Sequence, residues 1–143
     1  MTEAGQGRPS LRRFLAGGAL SGAIGALVNS LYFALFTAQV AYAGAEPTLG
    51  SVVVASFFPP VLAGLGYGVL ARLTERATPI FVLVTWAITL ATFQSVFDVT
   101  LPDGTPKPAG FDALVMPMHV VVGGFASLIL PLFTRTRATP EGG

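Results

Sequence analysis

Four long apolar runs constrain this sequence more than any other feature. They cover about 14–38, 50–71, 79–97 and 111–133, and the first three contain no charged residue. At a rise of about 1.5 Å per residue, a helix of about 20 residues crosses the roughly 30 Å hydrocarbon core of a bilayer. Only 10% of the residues are charged, against about 25% in soluble domains. The pattern predicts an all-α integral membrane protein, a four-helix bundle with up-down topology.

The composition excludes several classes of function. The net charge is +1, so no basic surface favours nucleic acid as a partner. The absence of cysteine excludes disulfides, thiolate metal sites and thiol redox chemistry. A bis-histidine haem needs a second histidine, and a metal site usually needs about three or more converging ligands. We therefore expect no metal and no cofactor.

Basic residues predict the orientation in the membrane. With four spans, seven arginines fall on one side and Lys107 alone falls on the other; the arginines are Arg8, Arg12, Arg13, Arg72, Arg76, Arg135 and Arg137. Because cytoplasmic loops carry the excess of basic residues, both termini are predicted to be cytoplasmic in a bacterial inner (plasma) membrane. The expected organisation is a disordered cytoplasmic tail over 1–10, a four-span domain over 11–134 and a second cytoplasmic tail over 135–143.

An export signal is a competing interpretation of the N-terminal part. The segment Arg12-Arg13-Phe14-Leu15 resembles a twin-arginine signal, and Ala41-Tyr42-Ala43 resembles a cleavage site. The apolar core of the first run is longer than the roughly 7–15 residues of a signal peptide. We therefore expect the first run to remain in the protein as a span.

Small residues line one face of the first span at helical spacing. The face consists of Gly18, Gly22, Gly25, Ala26 and Asn29, and Gly17 and Ser21 widen it. The second span carries a GxxxG pair, Gly64 and Gly68. Small residues let helix backbones approach closely in lipid, which predicts tight packing at both faces. Either face is also a candidate contact between copies in a homo-oligomer.

Prolines interrupt or begin two of the spans. Pro59 and Pro60 remove the backbone donors that the carbonyls of Ala55 and Ser56 would use, so a kink or an unwound turn is expected there. Since lipid offers no donor, those carbonyls must find another partner. The pair Thr78–Pro79 predicts a helix N-cap followed by proline at the first helical position.

The only histidine of the chain, His119, lies within the last span. Its depth below the outer end of its span matches that of Asn29 in span one and of the double proline in span two. Gln94, Asp98 and Asp112 lie nearer the outer surface. These five residues form a candidate polar pocket. An ionisable group in a span needs a partner, and the favoured interpretation is a neutral histidine bonded to Asn29, to a hydroxyl or to a carbonyl freed by the double proline.

The glycine-rich first span with Asn29 before Leu31-Tyr32, together with Met118-His119 followed by valines, resembles a family of small bacterial four-span membrane proteins that form a domain of unknown function. The likeness covers roughly Leu11 to Phe133. It implies a four-helix membrane fold and no particular activity.

Other four-span classes lack their diagnostic residues here. A small multidrug exporter needs a carboxylate deep in a span, quinone-linked disulfide enzymes need cysteines, and a dual-topology channel needs balanced loop charge. Two hypotheses remain. The first is a non-enzymatic membrane protein, either a structural or interaction subunit or a binder of a small lipophilic ligand within the bundle. The second is a small transporter, channel or membrane enzyme whose pocket surrounds His119. Membrane lipid, a second copy or a partner membrane protein are the expected partners.

Overall fold

The computed structural model of the chain describes residues 10–40, 42, 46–98, 100–101 and 104–134, apart from the side chain of Ser95. The predicted tails, 1–10 and 135–143, lie outside these residues except for Ser10. The described residues form four helices: α1 (Leu11–Val40), α2 (Leu49–Leu73), α3 (Ala77–Phe97) and α4 (Phe111–Thr134). Each is long and apolar enough to cross a membrane. The all-α prediction is confirmed, and the helices exceed the predicted spans by at most three residues at either end.

Contacts between the helices define their arrangement. α1 packs against α2 and α4, and α3 packs against α4 and α2. A further contact joins α2 to α4, whereas α1 and α3 do not touch within the described residues. The helices α1 and α3 therefore lie on opposite sides of the α2–α4 pair.

Glycine allows the backbones of α1 and α2 to touch. A Cβ atom built on Gly18 would lie 2.6 Å from the carbonyl oxygen of Pro60, and one built on Gly64 would lie 2.5 Å from that of Phe14. Gly22 lies equally close to the carbonyl of Phe57. The predicted tight packing is confirmed. Any side chain at these positions would overlap the backbone of the neighbouring helix.

Both glycine faces are used inside the chain. Gly64 and Gly68 contact Phe14 of α1, and Gly17 contacts Leu130 and Phe133 of α4. Ser21 is fully buried. Neighbouring helices of the same chain therefore cover these faces, and a homo-oligomer formed through them stays a prediction.

Caps and prolines define the ends of α2 and the start of α3. Thr48 caps α2 through a reciprocal pair of bonds with Ser51. The helix then continues unbroken through Pro59 and Pro60 to Leu73. No turn is unwound there, and the bend expected at the prolines stays a prediction. α3 begins two residues before Pro79 with Arg76 as its N-cap, so the predicted cap at Thr78 is wrong.

The hydroxyl of Thr78 bonds the Tyr67 hydroxyl instead, at 2.6 Å. Tyr67 stacks on Phe81 and meets the edge of Phe14, with ring centroids 4.5 and 5.3 Å apart. These rings belong to one apolar cluster, which also contains Leu130. The alternative partner for Thr78 explains why the capping bond does not form.

A second apolar cluster lies toward the other end of the bundle. It is built on Val52, Leu114 and Met118, with aromatic side chains of the last turns of α1 packed against it. Between the two clusters lies a layer made of glycines, Ser56 and Asn29. This layer is the one part of the described interior in which a large polar side chain is fully buried.

Candidate functional site

Asn29 joins three helices in the middle of the bundle. It is 1% exposed, and its Nδ2 donates to the Ser56 Oγ of α2 at 2.9 Å and to the Met118 carbonyl of α4 at 3.1 Å. The carbonyl can only accept, so the orientation of the amide is fixed by its partners. The Asn29 Oδ1 is buried and has no hydrogen-bond partner among the described residues.

Tyr32 satisfies a carbonyl that a proline leaves without its helical donor. Pro117 has no N–H, so the carbonyl of Ala113, four residues earlier in α4, has no donor in its own helix. The Tyr32 hydroxyl of α1 donates to that carbonyl at 2.7 Å. A partner from another helix is one of the ways in which membrane helices accommodate proline.

Tyr32→Phe is expected to reduce the free energy of unfolding by about 1–2 kcal/mol, because it leaves the Ala113 carbonyl without a donor. Pro117→Ala restores an N–H at the proper position of α4. In a protein that already carries Pro117→Ala, the loss of unfolding free energy caused by Tyr32→Phe should fall toward zero. Unfolding titrations of the two single variants and the double variant measure this coupling, and equal costs in both backgrounds would show that the Tyr32 bond does not replace the helical one.

His119 faces α3 rather than Asn29. Its Nδ1 lies 2.9 Å from the Val115 carbonyl of the same helix, and its ring meets Phe93 of α3 edge-on, with centroids 6.2 Å apart. Because a carbonyl only accepts, this hydrogen bond places the proton on Nδ1. In the neutral ring, Nε2 then carries a lone pair, and it has no hydrogen-bond partner among the described residues. The predicted partners were Asn29, a hydroxyl or a carbonyl freed by the double proline, and the Val115 carbonyl is none of these.

The threonines of α3 use their hydroxyls within their own helix. Thr89 donates to the Thr85 carbonyl at 2.9 Å, and Thr92 donates to the Thr89 carbonyl at 2.7 Å. Thr89 also packs directly on Gly123, one turn below His119.

The three remaining predicted residues lie at the end of α3 or the start of α4 and are exposed: Gln94, Asp98 and Asp112. Asp98 and Asp112 line a cavity of about 500 Å³ between the end of α3 and the start of α4. Lys107 lies in the same cavity with its side chain 10% exposed, and its Nζ is 3.9 Å from Asp112. It also donates to the Val96 carbonyl at 2.6 Å. Asp98 and Asp112 thus belong to a separate cluster at this end of the bundle, apart from the Asn29 layer.

The connection between α1 and α2 has its own polar contact. The Tyr42 hydroxyl donates to the Glu46 carbonyl at 2.5 Å. Burial raises the pKa of Tyr42, and the Glu46 carboxylate raises it further. Since the raised pKa belongs to the folded state, the phenol stays neutral in the fold and its contribution to stability is lost only as the pH rises above the ordinary tyrosine range.

The predicted pocket therefore separates into three places. Asn29 bridges α1, α2 and α4, His119 lies between α3 and α4, and Asp98 and Asp112 line the cavity between the end of α3 and the start of α4. Sequence reasoning did not identify the roles of Tyr32 and Lys107. The position of Pro117, four residues after Ala113, is a signal that could have led to the tyrosine. Within the described part of the chain no group of three acidic or histidine side chains is placed to hold a metal ion.

The arrangement can hold helices together and can accept a proton at one imidazole nitrogen. Comparison of the chain with protein-family models, with curated proteins and with solved structures gave no match.

Proposed function

We propose that the chain is a non-enzymatic multi-pass protein of a bacterial inner membrane, where it acts as a structural or interaction subunit. The observation that supports this most is the bonding of Asn29. Both N–H groups of its amide donate to neighbouring helices. A polar side chain with both donors engaged in this way holds the bundle together and offers no donor to a substrate. Membership of the resembling family of small four-span proteins stays a prediction.

The proposed topology is up-and-down, with both termini in the cytoplasm and α2 bent at Pro59–Pro60. The helix-end arginines support it. Arg13, near the start of α1, donates to the Phe133 carbonyl at the end of α4 at 3.0 Å. Arg72 donates to the Gly68 carbonyl in the last turns of α2 at 2.6 Å. Cations at helix C-termini are favourable, and these two lie on the side that the positive-inside rule assigns to the cytoplasm.

Single cysteines test this topology, because the natural chain contains none. Thr105→Cys should react with a membrane-impermeant maleimide added to intact cells, since the loop before α4 is proposed to face outward. Ser10→Cys should react only after the membrane is permeabilised. If only Ser10→Cys reacts in intact cells, the orientation is the reverse of the proposed one. If both cysteines react in intact cells, the up-and-down arrangement is excluded.

The surface proposed for interaction is the outward face of α1. A groove of about 610 Å³ runs along it, and its lining includes Leu27, Leu31, Ala34 and Ala38. Leu27 is 71% exposed and Leu31 is 60% exposed. A small lipophilic ligand bound within the bundle is the alternative to a protein partner at this groove.

Photocrosslinking in native membranes tests the interaction proposal. A photoreactive residue at Leu31 is expected to give a discrete protein adduct, either with a second copy or with a partner subunit. The matched control is Leu83, which is 71% exposed on α3, where lipid adducts are expected. Lipid adducts alone at both positions would contradict an interaction through α1.

The second candidate function is a small transporter, channel or membrane enzyme centred on His119. One observation favours it: the His119 Nδ1 is bonded to Val115, and Nε2 remains as an acceptor without a described partner. An imidazole held through one nitrogen can take up a proton at the other.

His119→Phe separates the two candidates. The phenylalanine ring retains the contact with Phe93 but cannot bind a proton. For an interaction subunit, proteoliposomes carrying the natural protein or the variant should acidify at the same rate as empty vesicles under a pH gradient. A flux that requires the natural protein and disappears in His119→Phe, with the variant still folded, would favour the second candidate.

A further inference from the structure

We infer that the layer between α1 and α2 contains a binding site for a single water molecule, formed by the Asn29 Oδ1 and the Ser56 carbonyl beside Gly25. The inference depends on two buried acceptors that have no donor and on a local widening of the helix interface next to them.

The first acceptor is the Asn29 Oδ1. It is buried without a partner, while the Nδ2 of the same amide is bonded to Ser56 and Met118. Reversing the amide would place its oxygen against the Met118 carbonyl, so the unpaired atom stays the oxygen. A buried acceptor without a donor costs about 1–3 kcal/mol, and buried water is the usual donor where the protein supplies none.

The second acceptor is the Ser56 carbonyl. Its donor in a regular helix would be the N–H of residue 60, but that residue is proline. Ser56 is itself 3% exposed, and its hydroxyl receives the Asn29 amide. The two unpaired acceptors therefore belong to residues whose side chains are already in contact. In a membrane, ordered water is one of the partners that backbone groups freed by proline can use.

The interface widens at this level. At Gly22 the backbone of α1 touches the Phe57 carbonyl. At Gly25, three residues further along, a Cβ atom would be 3.6 Å from the Ser56 carbonyl and 3.9 Å from the Phe125 ring, with no other atom within 4 Å. Gly25 is nevertheless buried. The gap is thus closed to the surroundings and bordered by the Ser56 carbonyl.

The chemistry of the gap fits water better than a cation. A water molecule carries two donors, which match two acceptors. A cation would need compensation for its lost hydration, and the described spans contain no carboxylate at this depth. The bound water would complete the polar layer at the double proline of α2 without opening a path to the surface.

The test uses an isotope-labelled carbonyl at Ser56 in the full chain, reconstituted in bilayers and examined by infrared spectroscopy. The carbonyl band of the natural protein is expected at the frequency of a hydrogen-bonded group and should shift on transfer to deuterated water. Gly25→Ala places a methyl group in the gap at contact distance from that carbonyl. The band should then move to higher frequency and lose its response to deuterated water.

Gly66→Ala is the matched control, because Gly66 has no atom within 4 Å of its Cβ position and the same methyl group is added outside the interface. Its spectrum should equal that of the natural protein. The inference is overturned if the natural protein already shows a carbonyl without a donor, or if Gly25→Ala leaves the band unchanged. A band that depends on sodium, with potassium or choline as replacement, would instead identify the occupant as a cation.

Discussion

Gly22→Val is expected to reduce the free energy of unfolding by at least about 3 kcal/mol, one of the two largest effects anticipated for this chain. A Cβ at Gly22 meets the backbone of Phe57, with the carbonyl carbon and Cα both 3.1 Å away. Backbone atoms cannot turn aside as a flexible side chain can. The helices must therefore separate, and the contacts that α1 and α2 make above and below Gly22 are lost together.

Gly66→Val is the matched control for this prediction. The same side chain is added to α2, but the Cβ position of Gly66 has no neighbour within 4 Å. The change in stability should stay within about 0.5 kcal/mol. Fluorescence of Trp86, the only tryptophan, can follow unfolding by a denaturing detergent in mixed micelles. Equal midpoints for the two valine variants would show that α1 and α2 do not pack through Gly22.

The spans and the glycine packing could be predicted from the sequence because both depend on local pattern. A run without charge must be helical in lipid, since every backbone donor has to be satisfied within the segment. The spacing of Gly18, Gly22 and Gly25 places them on one face whatever lies opposite. Which helix lies opposite cannot be derived from α1 alone. The same limit explains why the sequence left open whether these faces meet helices of the same chain or of a second copy.

The candidate pocket was predictable only in part. The Asn29 amide reaches the Met118 carbonyl, one residue before His119. The depth argument could not give the rotation of α4 about its axis. Adjacent residues on a helix project about 100° apart, so the Met118 side chain packs in the second apolar cluster while His119 meets Phe93. Equal depth therefore did not bring Asn29 and His119 into contact.

Only the folded chain reveals that basic side chains bond carbonyls at helix ends. Arg72 bonds a carbonyl of its own helix, whereas Arg13 and Lys107 bond carbonyls at the ends of other segments, 120 and 11 residues away. All three act on the C-terminal turns of helices, where the helix dipole favours positive charge. The sequence identified these residues only as topology signals. Their pairing with particular carbonyls depends on which helix ends lie side by side.

Asn29→Asp is expected to destabilise the protein by about 3 kcal/mol or more, because it buries a carboxylate at a position that requires a donor. The carboxylate has the shape of the amide but would face the Met118 carbonyl, which can only accept. Asn29→Leu removes the same two hydrogen bonds without adding charge. Interhelical hydrogen bonds are each worth about 0.6–1.7 kcal/mol, so the leucine variant should lose roughly 1–2 kcal/mol, clearly less than the aspartate variant.

A larger loss of stability in Asn29→Asp than in Asn29→Leu distinguishes an amide that bridges helices from an amide that is solvated. Gln39→Glu supplies the matched change from amide to acid at an exposed residue, one position before the end of α1, where an effect within about 0.5 kcal/mol is expected. If Asn29 lined a water-filled pocket, the added carboxylate would remain hydrated and Asn29→Asp would resemble Gln39→Glu. The same detergent titration measures the free energy of unfolding of each variant. A large loss that occurs only in Asn29→Asp requires that the natural amide donates to the Met118 carbonyl in a site closed to bulk water.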